Sequence, residues 1–144
     1  MPRPVTPQIA VDAIIEMSDR AARPIVLIER KNPPYGWAIP GGFVDVGETL
    51  EHACRREMLE ETSLQVTLTA LFGVYSDPAR DRRGHTVSVI YTASATGEPR
   101  AADDAAALAL FDPANIEVEL AFDHADILRD YLHYRRTGEL PKPL

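Results

Sequence analysis

The sequence predicts an α/β fold in which a mixed β-sheet carries helices on its faces. Extended stretches rich in β-branched and apolar side chains dominate the 144 residues. Only two segments have the composition of good helices, and they are widely separated in the chain. That pattern favours one mixed sheet with helices packed against it. A chain of this length is expected to form one compact domain with its own core, covering residues 1–144.

The first elements are expected to form a hairpin. Residues 8–16 and 24–30 are rich in β-branched and apolar side chains, and the turn-forming sequence at 18–20 lies between them. Residues 31–36 contain two prolines and a glycine, which predicts a loop. Two short extended pieces are expected to follow, around residues 40–42.

The central part of the chain is expected to contain a helix followed by two strands. Residues from about Glu48 to Thr62 include neither glycine nor proline, and helix-forming residues dominate. Residues 64–76 and 85–94 show the alternation or apolar runs of strands. A polar, arginine-rich loop connects these two strands.

The C-terminal part is expected to contain a loop, a short strand and a second helix. Residues 97–107 predict the loop, and the strand lies near 108–111. Apolar residues at 127, 128, 131 and 132 have helical spacing, so residues 122–136 predict the helix. Asp123 is the expected N-cap of that helix.

Composition excludes several classes of function. The formal net charge is −7, which argues against general attraction to nucleic acid or to anionic membranes. No apolar run approaches the roughly 20 residues of a membrane helix, and the N-terminus lacks an apolar signal core. The single cysteine, Cys54, rules out an internal disulfide, and we therefore expect a cytoplasmic protein.

One face of the central helix carries an unusual concentration of acid. Glu57, Glu60 and Glu61 fall within an arc of roughly 100°. They lie at the C-terminal end of the helix, where the helix dipole disfavours negative charge. A hard divalent cation with oxygen ligands would offset this repulsion. The alternative is an exposed acidic surface relieved in part by Arg56, and spacing alone leaves both interpretations open.

A longer pattern surrounds these glutamates. Gly42 is followed after five residues by Glu48, and after seven more by Arg56-Glu57, then Glu60-Glu61 and Leu64. This arrangement over residues 42–64 resembles the Nudix box, the signature of the Nudix hydrolase superfamily. The departure is Ser63, which stands where that box has glycine. Because the position ends the helix, we expect a left-handed cap in which serine costs about 1 kcal/mol.

The resemblance implies a Nudix-type α/β/α sandwich with a loop–helix–loop motif, and hydrolysis of a nucleoside diphosphate linked to another group. It implies that Glu57, Glu60 and Glu61 bind Mg²⁺, with the carbonyl of Gly42 as a further ligand. Mn²⁺ is the expected substitute ion. The remaining catalytic roles implied by the box are water orientation by Glu57 and positioning of the glutamates by Arg56 and Glu48.

The general base has two candidate locations. In some members of the superfamily it comes from the box helix, and in others from a distant loop. The corresponding loop here is residues 97–106, which contains Glu98, Asp103 and Asp104. We favour the helix.

Two further segments, 75–89 and 120–128, resemble the ADP-ribose pyrophosphatase branch of the superfamily. Arg80, Arg82 and Arg83 in the first segment are candidate contacts to substrate phosphates or carboxylates. Asp104 completes the predicted substrate-binding set. The alternative for the arginines is a solvated loop with local ion pairs. Hydrogen-bonded structural roles are expected for His85 and His124. Trp37 is expected to be a packing residue and Cys54 a core residue.

The function implied by these resemblances is hydrolysis of ADP-ribose to AMP and ribose 5-phosphate, or of a close nucleoside diphosphate derivative. The alternatives are a nucleoside triphosphate pyrophosphatase that removes unwanted nucleotides, and a domain that senses ADP-ribose without cleaving it. The expected partner is a small nucleotide, with neither nucleic acid nor membrane. Homodimerisation is expected from the branch.

Overall fold

The computed structural model describes residues 1–143, which form seven strands, two α-helices and one short 3₁₀ turn at Pro78–Arg80. The strands are β1 Gln8–Met17, β2 Ile25–Arg30, β3 Gly36–Ala38, β4 Gly41–Phe43, β5 Thr67–Tyr75, β6 Thr86–Ala95 and β7 Ala105–Phe111. The helices are α1 Leu50–Thr62 and α2 His124–Thr137.

All seven strands belong to one mixed sheet. Its main path runs β3-β2-β1-β6-β5, with β7 paired to β2 and β4 paired to β1. The long central pair, β1 and β6, is parallel, and every other named pair is antiparallel. On its other edge β1 pairs first with β4, through residues 10–12, and then with β2, at Glu16. This change of partner leaves room for a cleft beside the first half of β1.

The two helices cover opposite faces of the sheet. Alternate side chains of β1 point to opposite faces, and they pack against different helices. Val11, Ala13 and Ile15 belong to a buried cluster that includes Met58 of α1. Ile14 belongs to a second cluster, with Ile127, Leu128 and Tyr131 of α2. The result is a three-layer α/β/α sandwich, which confirms the predicted fold class.

Two details differ from the sequence-based expectations. The last strand is longer than predicted and begins at Ala105, because β7 pairs along most of β2. Asp123 stands at the N-cap position of α2 but makes no capping hydrogen bond with its side chain. Its carboxylate binds Arg80 instead, so the predicted N-cap position is confirmed while the side-chain capping bond is absent.

The end of α1 has the geometry expected of it. Ser63 lies in the left-handed region with φ 60° and ψ 18°, and its N–H donates to the carbonyl of Leu59 at 3.0 Å. Gly138 closes α2 in the same way, with φ 79°. The chain therefore has one serine and one glycine in equivalent positions.

We expect Ser63→Gly to stabilise the protein by about 1 kcal/mol, since glycine adopts the left-handed conformation without the strain of a Cβ atom. The reverse change, Gly138→Ser, should lose a similar amount, and a Cβ there would meet no atom within 4 Å. Urea unfolding of both variants measures the effect. A Ser63→Gly variant no more stable than the parent would contradict the argument.

In residues 1–143, the helices are too short or too polar for any of them to cross a bilayer.

Candidate active site

The acidic end of α1 lies directly against β4. The amide of Gly41 donates to Oε2 of Glu61 at 3.0 Å. A Cβ atom on Gly42 would lie only 2.3 Å from Cδ of Glu57. Because both glycines lack side chains, the two carboxylates reach the strand backbone.

Arg56 connects the box glutamates to one another. Its guanidinium donates twice to Glu48, at 2.8 and 2.7 Å, and once to Glu57 at 2.9 Å. A longer bond of 3.4 Å reaches Glu60, and another reaches the carbonyl of Phe43 at 3.2 Å. These contacts fit the positioning role that the sequence predicts for Arg56 and Glu48. The hydrogen bonds from Arg56, with one from the Asp45 amide, lower the pKa of Glu48 to about 2.

Glu57 and Glu61 behave differently from Glu48, because burial raises the pKa of both carboxyls. The pKa of Glu61 rises to about 8, and the neighbouring charges of Glu57, Asp12 and Asp104 add to the effect of burial. Glu61 makes no ion pair with a basic group among residues 1–143. A buried carboxylate without a basic partner, next to a second carboxylate in a partly dry site, suits a hard divalent cation, whose preferred ligands are oxygens.

The predicted trio does not converge fully in this structure. The side chain of Glu60 is 58% exposed and turns towards Arg56. Across the described residues, no three side chains of His, Cys, Asp or Glu approach one point closely enough to share an ion. Glu57, Glu61 and the backbone of Gly42 are therefore brought together, while Glu60 stands at the rim.

A cleft opens beside these glutamates, on the face of the sheet that carries α2. Asp12, Thr86 and Ser88 form part of its floor, and Gly41 and Glu61 lie at its acidic end. One wall of the cleft is basic and aromatic. Its side chains are Arg30, Arg83 and Phe122.

The basic wall is built around one ring. The guanidinium carbons of Arg30 and Arg83 lie 4.9 and 5.2 Å from the centroid of Phe122. Arg83 also pairs with Asp81 at 2.9 Å, and Arg30 donates to the carbonyl of Pro34 at 2.8 Å. Burial and the nearby charge of Arg83 lower the pKa of Arg30. Two guanidinium groups that pack against one ring and line the same cleft can bind an anion there.

The three arginines predicted to contact substrate occupy different positions. Arg80 borders the cleft, but its side chain is only 4% exposed and binds both oxygens of Asp123 at 2.8 and 2.9 Å. It also donates to Ser88 at 2.8 Å. Arg83 faces the cleft. Arg82 is exposed, does not line the cleft, and has no side-chain hydrogen bond within the described part of the chain.

The loop 97–106 lies beside the end of α1. The amides of Arg100 and Ala102 donate to the carbonyls of Thr62 and Glu61 at 2.8 and 3.2 Å. Asp104 is exposed, yet close enough for its charge to raise the pKa of Glu61. Glu98 points away and pairs with Arg20 at 2.8 Å. Of the acids in the loop, Asp104 is therefore the better placed to act in the site.

The remaining predicted side chains have structural surroundings. His124 is buried, and its Nδ1 accepts a hydrogen bond from the amide of Ile39 at 3.0 Å. Burial lowers the pKa of His124 to about 3, so its imidazole is neutral at pH 7. His85 is hydrogen-bonded to the carbonyl of Ser76. Trp37 packs edge-on against Phe111, and Cys54 is fully buried.

Sequence reasoning missed Asp12, Arg30 and Phe122. Each comes from an element distant in sequence from the box, so spacing carried no information about them. Asp12 alone left a signal, because it is a charged residue in the otherwise apolar stretch of residues 9–15. Fully buried charged residues are rare unless they are paired or functional.

The chain is similar to known proteins over most of its length. The model of the NUDIX domain family matches residues 6–131. An ADP-ribose pyrophosphatase from Methanocaldococcus jannaschii is 46% identical over 132 residues, which cover 90% of this chain and 75% of that protein. A NUDIX hydrolase structure from Nitrosomonas europaea has a TM-score of 0.82 and 26% identity, covering 99% of this chain and 79% of that one.

A second similar structure is the NUDIX domain of Shewanella oneidensis NrtR in complex with ADP ribose. It has a TM-score of 0.78 and 25% identity, covering 92% of this chain and 90% of that one. The family match spans well over half of the sequence and includes the whole of the box at residues 42–64. The chain therefore belongs to the NUDIX domain family.

Proposed function

We propose that this protein is a divalent-metal-dependent hydrolase that cleaves the diphosphate of ADP-ribose to give AMP and ribose 5-phosphate. The observation that carries the proposal is a cleft whose lining contains the box carboxylate of Glu61 and the guanidinium groups of Arg30 and Arg83. A diphosphate needs both, because it is anionic and resists attack by water. The 46% identity to an ADP-ribose pyrophosphatase supports this choice of substrate.

The metal would be held by Glu57, Glu60 and Glu61, with the carbonyl of Gly42 as a further ligand. The donor set is all oxygen, which fits Mg²⁺, with Mn²⁺ as a substitute. When bound, such an ion neutralises the oxygens of the diphosphate and orients the attacking water. A small reorientation of Glu60 away from Arg56 would bring the third carboxylate to the other two.

The residues of the chain would divide the remaining work. Arg56 and Glu48 hold Glu57 in place through the short hydrogen bonds described above. Glu57 is then available to orient a water molecule, with Asp104 as the alternative base from the neighbouring loop. Arg30 and Arg83 would bind phosphate oxygens. Arg80, which is committed to Asp123, would shape the wall of the cleft.

Two other functions compete with this one. A nucleoside triphosphate pyrophosphatase would release a nucleoside monophosphate and pyrophosphate. A sensing domain would bind ADP-ribose without cleaving it, and the similarity to the NUDIX domain of NrtR makes that alternative concrete. The presence of every box glutamate supports an enzyme.

A panel assay distinguishes the three functions. Purified protein with Mg²⁺ is incubated with ADP-ribose, other nucleoside diphosphate derivatives and nucleoside triphosphates, and the products are separated by anion-exchange chromatography. We expect AMP and ribose 5-phosphate from ADP-ribose at a rate at least tenfold above any triphosphate. Pyrophosphate release from triphosphates at the higher rate would support the first alternative. Tight binding of ADP-ribose without products would support the second.

The wider setting of the protein is also part of the proposal. We assign the whole chain to one NUDIX domain, because the family match covers residues 6–131. The single buried cysteine is consistent with a cytoplasmic location, and the homodimer is proposed from the branch that the sequence resembles. Sedimentation velocity under assay conditions tests the dimer, and a single monomeric species would exclude it.

A further inference from the structure

Asp12 is a buried carboxylate for which the fold itself supplies no partner. It lies on β1 in the floor of the cleft and is 7% exposed. Within residues 1–143, its side chain makes neither a hydrogen bond nor an ion pair. No enclosed side-chain oxygen in this part of the chain lacks a partner, so the oxygens of Asp12 that make no protein contact must be accessible from the cleft. Carboxylates at largely buried positions normally accept hydrogen bonds or pair with a cation, and here a ligand in the cleft can supply the donors.

The charges around Asp12 do not offset the cost of burying its carboxylate. Arg80 is the favourable charge near Asp12, but its guanidinium is already bonded to Asp123 and Ser88. The other charges that act on Asp12 are those of Asp123 and Glu57, and both are negative. A purely structural role would be better served by an apolar or amide side chain at this position.

The position of Asp12 relative to the box is well defined. Asp12 pairs in register with Gly41, and a Cβ atom on that glycine would lie 1.6 Å from Oδ1 of Asp12. The amide of the same glycine donates to Glu61. The carboxylates of Asp12 and Glu61 therefore both contact Gly41. Asp12 occupies the space where a Cβ atom would be, and Glu61 accepts the hydrogen bond from the N–H.

We propose that Asp12 is a specificity-determining residue whose carboxylate accepts hydrogen bonds from the hydroxyl groups of a ribose in the substrate. This inference rests on the function proposed above, because it assigns a contact to the same substrate. It adds a residue outside the box, and it names the part of the substrate that the residue recognises.

The chemistry favours hydroxyl groups over other donors. Burial raises the pKa of Asp12 to about 7, so binding is compared at about pH 8.5, where the carboxylate is ionised and acts only as an acceptor. Its two oxygens match the two O–H donors of a vicinal diol. In ADP-ribose the ribose hydroxyls are the donors nearest to the diphosphate, whereas the amino group of adenine lies beyond a ribose. Since Asp12 and the box glutamate Glu61 share contacts with one glycine, the donor that reaches Asp12 must lie close to the diphosphate.

Two riboses flank the diphosphate, and equilibrium binding separates them. Isothermal titration in EDTA, without metal, compares the parent with Asp12→Asn, using ADP-ribose, AMP, ribose 5-phosphate and inorganic pyrophosphate as probes. We expect the variant to bind ADP-ribose at least tenfold more weakly and pyrophosphate equally well. Loss confined to AMP assigns Asp12 to the adenosine ribose, and loss confined to ribose 5-phosphate assigns it to the terminal ribose.

Analogues lacking the hydroxyls provide the decisive comparison. For the affected ribose, 2′,3′-dideoxy-AMP or 2,3-dideoxyribose 5-phosphate should bind the parent and Asp12→Asn with affinities that differ by less than about twofold. Asp126→Asn, an exposed aspartate on α2, is the matched control and should bind every probe as the parent does. Asp12→Ser serves as a second variant if the asparagine variant does not fold.

Three outcomes would overturn the proposal. One is an Asp12→Asn variant that folds and retains the parental affinity for ADP-ribose, AMP and ribose 5-phosphate. Another is an equal loss for the natural ribose and its deoxy analogue. The third is weakened binding of Mn²⁺ alone, which would make Asp12 a metal ligand. If the parent hydrolyses ADP-ribose and any of these occurs, the proposed function survives; if the parent neither binds nor hydrolyses it, both proposals fall.

Discussion

Glu61→Gln is expected to lower the turnover of ADP-ribose at least about a thousandfold, which corresponds to roughly 4 kcal/mol of activation free energy. Glutamine keeps the size of the side chain, and its amide oxygen can still accept the hydrogen bond from Gly41. What it removes is the negative charge. If that charge binds a divalent cation, the substitution slows the chemical step and leaves the fold intact.

The surroundings of Glu61 explain why the effect should be large. Burial and the charges of Glu57 and Asp12 raise its pKa to about 8, so the site holds a carboxylate that is unfavourable without a cation. Glutamine relieves that repulsion, and the metal-free variant should be at least as stable as the parent. A large loss of activity together with retained stability is the pattern expected of a ligand residue.

Glu51→Gln is the matched control, because Glu51 is an exposed acid in the first turn of the same helix. It should retain activity within about twofold. Steady-state kinetics with Mg²⁺ and titration of Mn²⁺ by electron paramagnetic resonance measure the two effects for each variant. A folded Glu61→Gln protein with activity within tenfold of the parent would remove Glu61 from the metal site. Glu57→Gln is expected to behave in the same way.

The architecture was predictable because the sequence carries strong local signals. The alternation and apolar content of residues 8–16 predict β1, and the absence of glycine and proline predicts α1 within two residues at its start. The length of β7 was not predictable. Its alanine-rich sequence has weak strand propensity, and the pairing with β2 determines where it begins.

The candidate site was predictable only where its residues lie on one element, so that their spacing in the sequence fixes their relative positions. Glu57 and Glu61 follow a helical repeat, and the helix brings them to the same edge of β4. The sequence gives no comparable signal for Arg30 and Phe122, since strand order and the approach of α2 to the sheet bring them together. Contacts between residues of different elements depend on the tertiary fold, and the local sequence does not predict them.

Arg80 illustrates the same limit from the other direction. The arginine-rich loop suggested three equivalent contacts to an anionic substrate. The fold brings Asp123, 43 residues later in the chain, against Arg80, and the resulting bidentate pair leaves Arg80 little freedom to bind a ligand. Composition identified a basic segment, but only the ion pair with Asp123 shows that Arg80 shapes the wall of the cleft and is not free to bind a ligand.

Gly41→Ala is expected to destabilise the protein by about 2–4 kcal/mol and to abolish most of its activity. The added Cβ would lie 1.6 Å from Oδ1 of Asp12 and 2.4 Å from the carbonyl oxygen of Val11. The Asp12 side chain can rotate away, but the Val11 oxygen belongs to the backbone of the central strand. Strand β4 must therefore move, and Glu61 then loses its hydrogen bond from the Gly41 amide.

Gly73→Ala is a suitable control for this change, because Gly73 also lies in a strand and has no left-handed φ. A Cβ there would meet Pro141 and Tyr75 at an ordinary 3.4 Å. Thermal unfolding should show a fall of at least roughly 6 °C for Gly41→Ala and little change for the control. The prediction is specific because two carboxylates flank Gly41. If the Gly41→Ala variant keeps the parental melting temperature and affinity for ADP-ribose, the close contact between Asp12 and β4 is wrong. The placement of Asp12 beside the diphosphate would then be wrong as well.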